Sequence, residues 1–310
     1  MMKLTHLQHN EIDKPLWEKS ILNAVNGNLY AFAWYLDIVS PNWEALVSNH
    51  YEIVIPLPIK KIVGTKMIIQ PLFAQQLGIF STNVKHLSNA EDFIKQVVDL
   101  YPYCNLQTNK LNLIESSAGN NFNVHYKINY ELDLIATYSY IYNKYHTNTK
   151  RNLAKSQQYN LQLKINTIDA PTLVNFIRKN VGVKVPLLKD KDYNKMLQII
   201  NNAIKYKFGE IYEVYDEKNQ LIAATFFIFS HRKAYYLFAA STPIGKEKRA
   251  MFFLIDQFIK RYAEKNVILD FEGSMIPGLA RYYESFGAVA GKYQQIVANR
   301  LPFYLHWLKF

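Results

Sequence analysis

The sequence predicts an α+β protein built as two tandem modules, each a mixed, mostly antiparallel sheet flanked by helices. Three observations carry this. First, apolar residues recur with both helical and strand periodicity along the whole chain. Second, the order helix, three strands, helix, strand, strand in the first part returns in the second as two helices, three antiparallel strands, helix, strand, helix, strand. Third, 310 residues with 49% hydrophobic and 15% aromatic content can bury two cores. No low-complexity or Pro/Gly/Ser-rich linker separates them, so the modules are expected at 1–134 and 135–310.

In chain order, residues 15–25 carry Leu16, Ile21, Leu22 and Val25 and read as a short helix ending near Gly27. Strand-like runs follow at 30–39, 51–57 and 67–69, divided by Pro41-Asn42, Pro58 and Gly64. Two amides, Gln75 and Gln76, then interrupt an apolar run that ends at Gly78. Buried amides need partners, so they either fix a turn or line a substrate cleft. An amphipathic helix at 90–100 and a strand at 103–107 lead to 122–134, whose alternation marks a half-exposed strand.

Residues 138–158 are the most basic part, with Lys144, His146, Lys150, Arg151 and Lys155 and no acid. Read as one linking helix, they set Lys144, Arg151 and Lys155 on a single face. That face is either solvated or binds an anion, such as the phosphates of a large ligand or an RNA backbone. Beyond it come a strand at 161–165, helices at 170–180 and 193–206, strands at 209–216, 221–229 and 234–240, a long helix after Arg249, and a last strand at 293–298.

The net charge of +11, with a pI near 9.3, favours a polyanionic partner: nucleic acid, an acidic membrane face or a phosphorylated ligand. One cysteine, Cys104, excludes an intrachain disulfide and a cysteine-built metal site, and the eight histidines show no metal spacing, so no metal is expected. Gly-x-Ser-x-Gly, Walker and Gly-x-Gly-x-x-Gly motifs are absent. With no signal core and no apolar run near the ~18 residues of a transmembrane segment, the expected location is cytoplasmic.

Two stretches remain as candidate chemistry. Ser241, Thr242, Gly245, Lys246, Lys248 and Arg249 lie between a strand and a helix start. Backbone amides, the helix dipole and the cations there suit a pyrophosphate. In the closing stretch, an apolar strand runs into Glu272, Gly273 and Ser274, and Pro277 opens a helix carrying Leu279, Tyr282, Tyr283 and Phe286 up to Gly287. Glu272 there is either a helix cap or a cleft carboxylate, and the two tyrosines are either core or cleft residues.

With these elements in place, the double order resembles two GNAT-type acyltransferase modules in tandem, as in the Fem family of aminoacyl-tRNA-dependent peptidoglycan transferases and its acetyltransferase relatives. The resemblance rests on Lys150-Arg151-Asn152-Leu153-Ala154-Lys155, on Phe271-Glu272-Gly273-Ser274 with the following Gly278 to Gly287 segment, and on Gln70 to Gly78. It implies transfer of an acyl or aminoacyl group from acyl-CoA or aminoacyl-tRNA, held by the second module, to an amine on a small molecule or a peptidoglycan precursor. Glu272 would then act as base, Tyr282 or Tyr283 as acid to the leaving group, and Gln75, Gln76, Lys144, Arg151, Lys155 and Ser274 would bind substrate. The alternative is a non-catalytic RNA- or cell-wall-precursor-binding protein on the same fold, favoured by the charge and by a loop whose single glycine is Gly245.

Overall fold

The computed structural model describes residues 4–115, 121–181, 188–273 and 275–302. In chain order the strands and helices of the first part are β1 (Thr5–Leu7), α1 (Lys14–Asn23), α2 (Ala33–Val39), β2 (Glu44–Val47), β3 (Ile53–Leu57), β4 (Ile59–Ile62), β5 (Thr65–Ile69), β6 (Phe80–Ser81), α3 (Val84–Leu87), α4 (Ala90–Leu100), β7 (Tyr103–Gln107) and β8 (Asn123–Asp133). Then come α5 (Tyr138–Asn143), α6 (Thr147–Ser156), β9 (Gln162–Ile165), α7 (Ala170–Asn180), α8 (Asp190–Lys205), β10 (Gly209–Tyr215), β11 (Leu221–Ser230) and β12 (Lys233–Ser241). The chain closes with α9 (Pro243–Glu247), α10 (Ala250–Tyr262), β13 (Ile268–Gly273), α11 (Pro277–Glu284) and β14 (Val289–Asn299).

The chain divides into two units. One takes the residues up to Ile128 together with those from Gly291 onward, and the other runs from Asn129 to Ala290. The sequence places the boundary six residues later and keeps the C-terminal strand in the second module. The physical reason for the difference is pairing: Gln295–Asn299 of β14 run antiparallel to Gln107–Tyr103 of β7, so the chain returns to the unit it began in.

In the first unit, β1, β2, β3 and β6 form one antiparallel sheet. A second set of strands pairs β4 with β5 antiparallel, β5 with β7 parallel and β7 with β14 antiparallel. α4 buries Phe93, Ile94, Val97 and Val98, the i, i+1, i+4, i+5 stripe of an amphipathic helix, and has Glu91 and Asp92 at its positive end. One expectation fails here: residues 30–39 are not a strand. Asn28 accepts the Tyr30 amide and starts a 3-10 turn, and Ala33–Val39 continues as α2. The run Ala33-Trp34-Tyr35-Leu36 has no period-two alternation, so burial on both sides left helix and strand undecided by pattern alone.

The second unit is a sheet in the order β8-β13-β12-β11-β10-β9, antiparallel except for the parallel pair β12 and β13. Its central strand β11 is buried almost throughout. Adjacent residues of β11 show that helices cover both faces. Phe226 reaches Ala203 of α8 across Gly209, where a Cβ would strike both side chains, whereas Phe227 stacks on Phe258 of α10 at 3.9 Å. Tyr212 and Tyr262 extend that aromatic layer.

The basic linking helix is the second correction. It breaks into α5 and α6 at Lys144–His146, because Tyr145 leaves the helix to bury its ring against Phe286 and the extended His146 donates its amide to the Ser285 carbonyl. Lys144 therefore caps α5 and does not share a face with Arg151 and Lys155, which remain one turn apart on α6. Among the described residues, no helix is long and apolar enough to cross a membrane.

Phe258 is fully buried at the centre of the second unit's aromatic layer. Phe258→Ala is expected to cost ~3–5 kcal/mol in unfolding free energy, measured by denaturant titration. A loss under ~1 kcal/mol would show that this layer is not what holds the helix to the sheet.

Candidate active site

The site begins where two neighbouring strands stop pairing. β12 and β13 run parallel for three partners only, Lys233 with Ile268, Ala234 with Leu269 and Tyr235 with Asp270. Beyond that point β12 continues to Ser241 and β13 to Gly273, with a cleft of about 670 Å³ between them. The described residues lining the cleft include Tyr236, Leu237 and Ala239–Ser241 from β12 and Phe271–Gly273 from β13.

Two bulges shape its walls. In β12, Phe226 faces Phe238 and Phe227 faces Tyr236, so Leu237 is an extra residue that re-aims its neighbours. In β13, Asp270 pairs with Glu131 but Gly273 with Asn129, which leaves Phe271 and Glu272 opposite one residue. Glu272 adopts φ 59°, the left-handed region that a glutamate enters at a cost of roughly 1–2 kcal/mol. Its amide donates to Asp270 Oδ1 at 2.9 Å.

Asp270 is itself buried beneath the cleft. Its carboxylate accepts from Asn129 Nδ2 at 3.0 Å and pairs with Lys233 Nζ at 2.8 Å, while Lys233 also reaches Glu131 Oε1 at 2.6 Å. Burial alone would lower the Lys233 ammonium; the charges of Asp270 and Glu131 outweigh it and raise it well above its ordinary value. The four groups form a satisfied polar network across β8, β12 and β13.

The predicted catalytic residues come together here. Glu272, Tyr282 and Tyr283 all line the cleft. Glu272 is not a helix cap: the N-cap of α11 is Ile276, with no side-chain cap. The Tyr283 ring stacks on Phe271 at 4.9 Å, and burial together with the Glu272 charge pushes its hydroxyl above the phenol range. Tyr282 packs edge-on against Phe252, and its hydroxyl is buried with no hydrogen-bond partner among the described residues. Burial and the neighbouring Tyr236, Tyr283 and Tyr145 hydroxyls push it well above the phenol range, so it stays protonated. Tyr236 completes this aromatic wall, its hydroxyl raised in the same way by burial.

The expected anion-binding stretch divides. Ser241, Gly245, Lys246 and Arg249 line the cleft. Gly245 is required by space, since a Cβ would run into the Ile222 carbonyl and the Ser241 hydroxyl. Thr242 instead caps α9, accepting the Gly245 amide at 3.0 Å. Lys248 turns away to the β10–β11 turn, where Glu217 holds it at 2.6 Å and Asp216 at 3.5 Å. The helix that follows the strand is the short α9, and the long α10 begins only after Arg249, which takes φ 60°. Arg249 Nη1 donates to the Lys246 carbonyl at 3.1 Å, and its Nε is buried without a partner among the described residues. Met251 and Phe252, in the first turn of α10, also line the cleft.

The substrate-binding residues named from the sequence are dispersed. Gln75 and Gln76 lie in the first unit, where Gln76 Nε2 donates to Gln75 Oε1 at 2.9 Å, as a turn-fixing pair would. Lys144 sits over the Tyr140 ring at 4.3 Å, and Arg151 is exposed on α6 with Lys155 half-buried one turn on; none of the three lines the cleft. Ser274 lies outside the described residues. Sequence reasoning missed Asp270 and Lys233. The signal was a lone Asp in an apolar strand and a lone Lys at the start of another, each in need of a partner if buried. Among the described residues, no group of His, Cys, Asp and Glu could hold a metal ion.

Arg249→Ala is expected to weaken binding of an inorganic pyrophosphate probe roughly tenfold or more by calorimetry, the loss of a charge-assisted contact. Lys248→Ala is expected to leave that affinity unchanged. Equal losses would return Lys248 to the anion site.

No protein-family model matches this chain, and no curated protein matches it. Among solved structures, FemX superposes with a TM-score of 0.64 at 10% identity, over 91% of this chain and 96% of FemX. L-PGS from Bacillus licheniformis gives 0.55 at 10% identity, over 94% of this chain and 93% of that one. A GNAT-family acetyltransferase from Colwellia psychrerythraea gives 0.52 at 11% identity, over 94% and 98%. The fold is therefore the tandem GNAT-like fold of the Fem-type structures.

Proposed function

We propose that the chain transfers an acyl or aminoacyl group to an amine in the cleft between β12 and β13. The observation that carries this reading is the set of groups that line that cleft. Lys246 and Arg249 supply cations, Phe252, Phe271 and Leu279 apolar walls, and the Glu272 carboxylate stands near the protonated Tyr283 hydroxyl, with the protonated Tyr282 in the same lining. The fold shared with FemX and the GNAT acetyltransferase supports it.

In this reading Lys246 and Arg249 hold the phosphates of the donor, with acyl-CoA as the co-substrate that suits a pyrophosphate-sized anion site. Glu272 takes the proton from the attacking amine, directly or through a water. Tyr282, whose hydroxyl has no partner among the described residues, donates a hydrogen bond to the leaving group; Tyr283, held beside Glu272, is the second donor. Because burial raises both phenols, they suit hydrogen-bond donation to a developing anion better than complete proton release. The aromatic wall keeps water from the donor ester. The acceptor class we assign is a small-molecule or peptidoglycan-precursor amine, and the site of action is cytoplasmic.

A second reading, a binder of RNA or of a cell-wall precursor, draws on one observation. Lys144, Lys150, Arg151 and Lys155 are in no ion pair with a carboxylate among the described residues, which leaves α5 and α6 a basic surface set with Tyr140 and Tyr142.

Glu272→Gln is expected to lower turnover at least ~100-fold while donor affinity and melting temperature hold. Unchanged turnover removes Glu272 from the reaction. A melting-temperature panel of CoA, acyl-CoAs and tRNA separates the readings: ligand at ~100 times its Kd adds about 2.7 kcal/mol to stability. A rise with CoA compounds is the expected result, and a rise with RNA alone would favour the tRNA-dependent variant or the binder.

A further inference from the structure

We propose that Asp270 is a positioning residue that holds Glu272 in the cleft, an inference that rests on the acyl-transfer reading. Three facts converge on it. Glu272 occupies a left-handed backbone conformation inside a bulge, where a strand would otherwise carry its side chain to the opposite face. Its backbone amide donates to the Asp270 side chain at 2.9 Å. And Asp270 is 1% exposed, fixed from the other side by Asn129 at 3.0 Å and Lys233 at 2.8 Å.

The position of this network matters as much as its bonds. Asp270 is the last residue of β13 that pairs with β12, opposite Tyr235. One residue further on, Phe271 already lines the cleft. Lys233 begins β12, and Asn129 and Glu131 come from β8, so the buried carboxylate ties three strands together at the root of the divergence. A carboxylate is the group that suits the place. It accepts the Glu272 and Asn129 donors on one oxygen and the Lys233 ammonium on the other. An asparagine there keeps the shape, halves the acceptor capacity and leaves Lys233 with Glu131 as its remaining anion.

The test is amide hydrogen exchange at Glu272, read by NMR on the full chain, beside steady-state kinetics. In the wild type the Glu272 amide is expected to exchange slowly. In Asp270→Asn the single remaining oxygen turns to the Lys233 ammonium, the amide NH2 then faces the Glu272 N–H, and the protection of that N–H should fall roughly tenfold, the effect of losing one hydrogen bond. kcat should fall roughly 100-fold with the donor KM unchanged, as for a displaced catalytic group. A merely structural role would lower the melting temperature and leave kcat of the folded fraction intact, which overturns the proposal. So does a rapidly exchanging Glu272 amide in the wild type, a measurement that stands even if Asp270→Asn fails to fold. A wild type with a protected amide that turns over no donor sinks the functional reading instead, and this role with it.

Discussion

The short parallel pairing of β12 and β13 is the constraint on which the second unit depends. Two parallel strands that stay in register leave no room for a ligand. Here the register ends at Tyr235 and Asp270, and the buried Lys233–Asp270 pair sits at that last rung. A buried ion pair is poor evidence of stability, since the charges give up their hydration. It is better evidence of geometry, because Asp270, Lys233, Glu131 and Asn129 can satisfy one another only while β8, β12 and β13 keep their places. Everything beyond that rung, the Leu237 bulge, the turned Glu272 and the aromatic wall, is free to line a cavity.

That cavity brings unlike groups together: Lys246 and Arg249, the apolar Phe252, Phe271 and Leu279, and the Glu272 carboxylate all line it. Tyr282 Oη and Arg249 Nε in it are buried without partners among the described residues. Folded proteins seldom leave such groups unsatisfied, and a ligand is the simplest partner that would satisfy them. Both lie on residues set by local strain or packing, Arg249 by its left-handed backbone and Tyr282 by the rings around it.

Much of this was legible from residues alone. The stripe of α4, the Asp169 and Pro171 start of α7 and the antiparallel strands β10 to β12 have local signatures, in periodicity and caps, that survive any packing. Glu272 stands out at a strand end, and Gly245 as the one glycine in the stretch between a strand and a helix start. What misled was also local: a helix pattern across 138–158 that ignored the pull of Phe286 on Tyr145, and an apolar run at 30–39 that carried no period.

By itself, then, the sequence determined the repeated order of elements, the α+β class and the loop and closing stretch in which the site would lie. The tertiary structure alone decided which side chains meet. Lys246, Lys248 and Arg249 are equivalent cations in the sequence, yet Glu217 and Asp216 claim one of them from across the β10–β11 turn while the others face the cleft. Asp270 and Lys233 are 37 residues apart and become partners only when β12 and β13 align. Contacts between distant residues depend on strand register and on bulges, and a one-residue slip turns a side chain to the other face, so no local pattern encodes them.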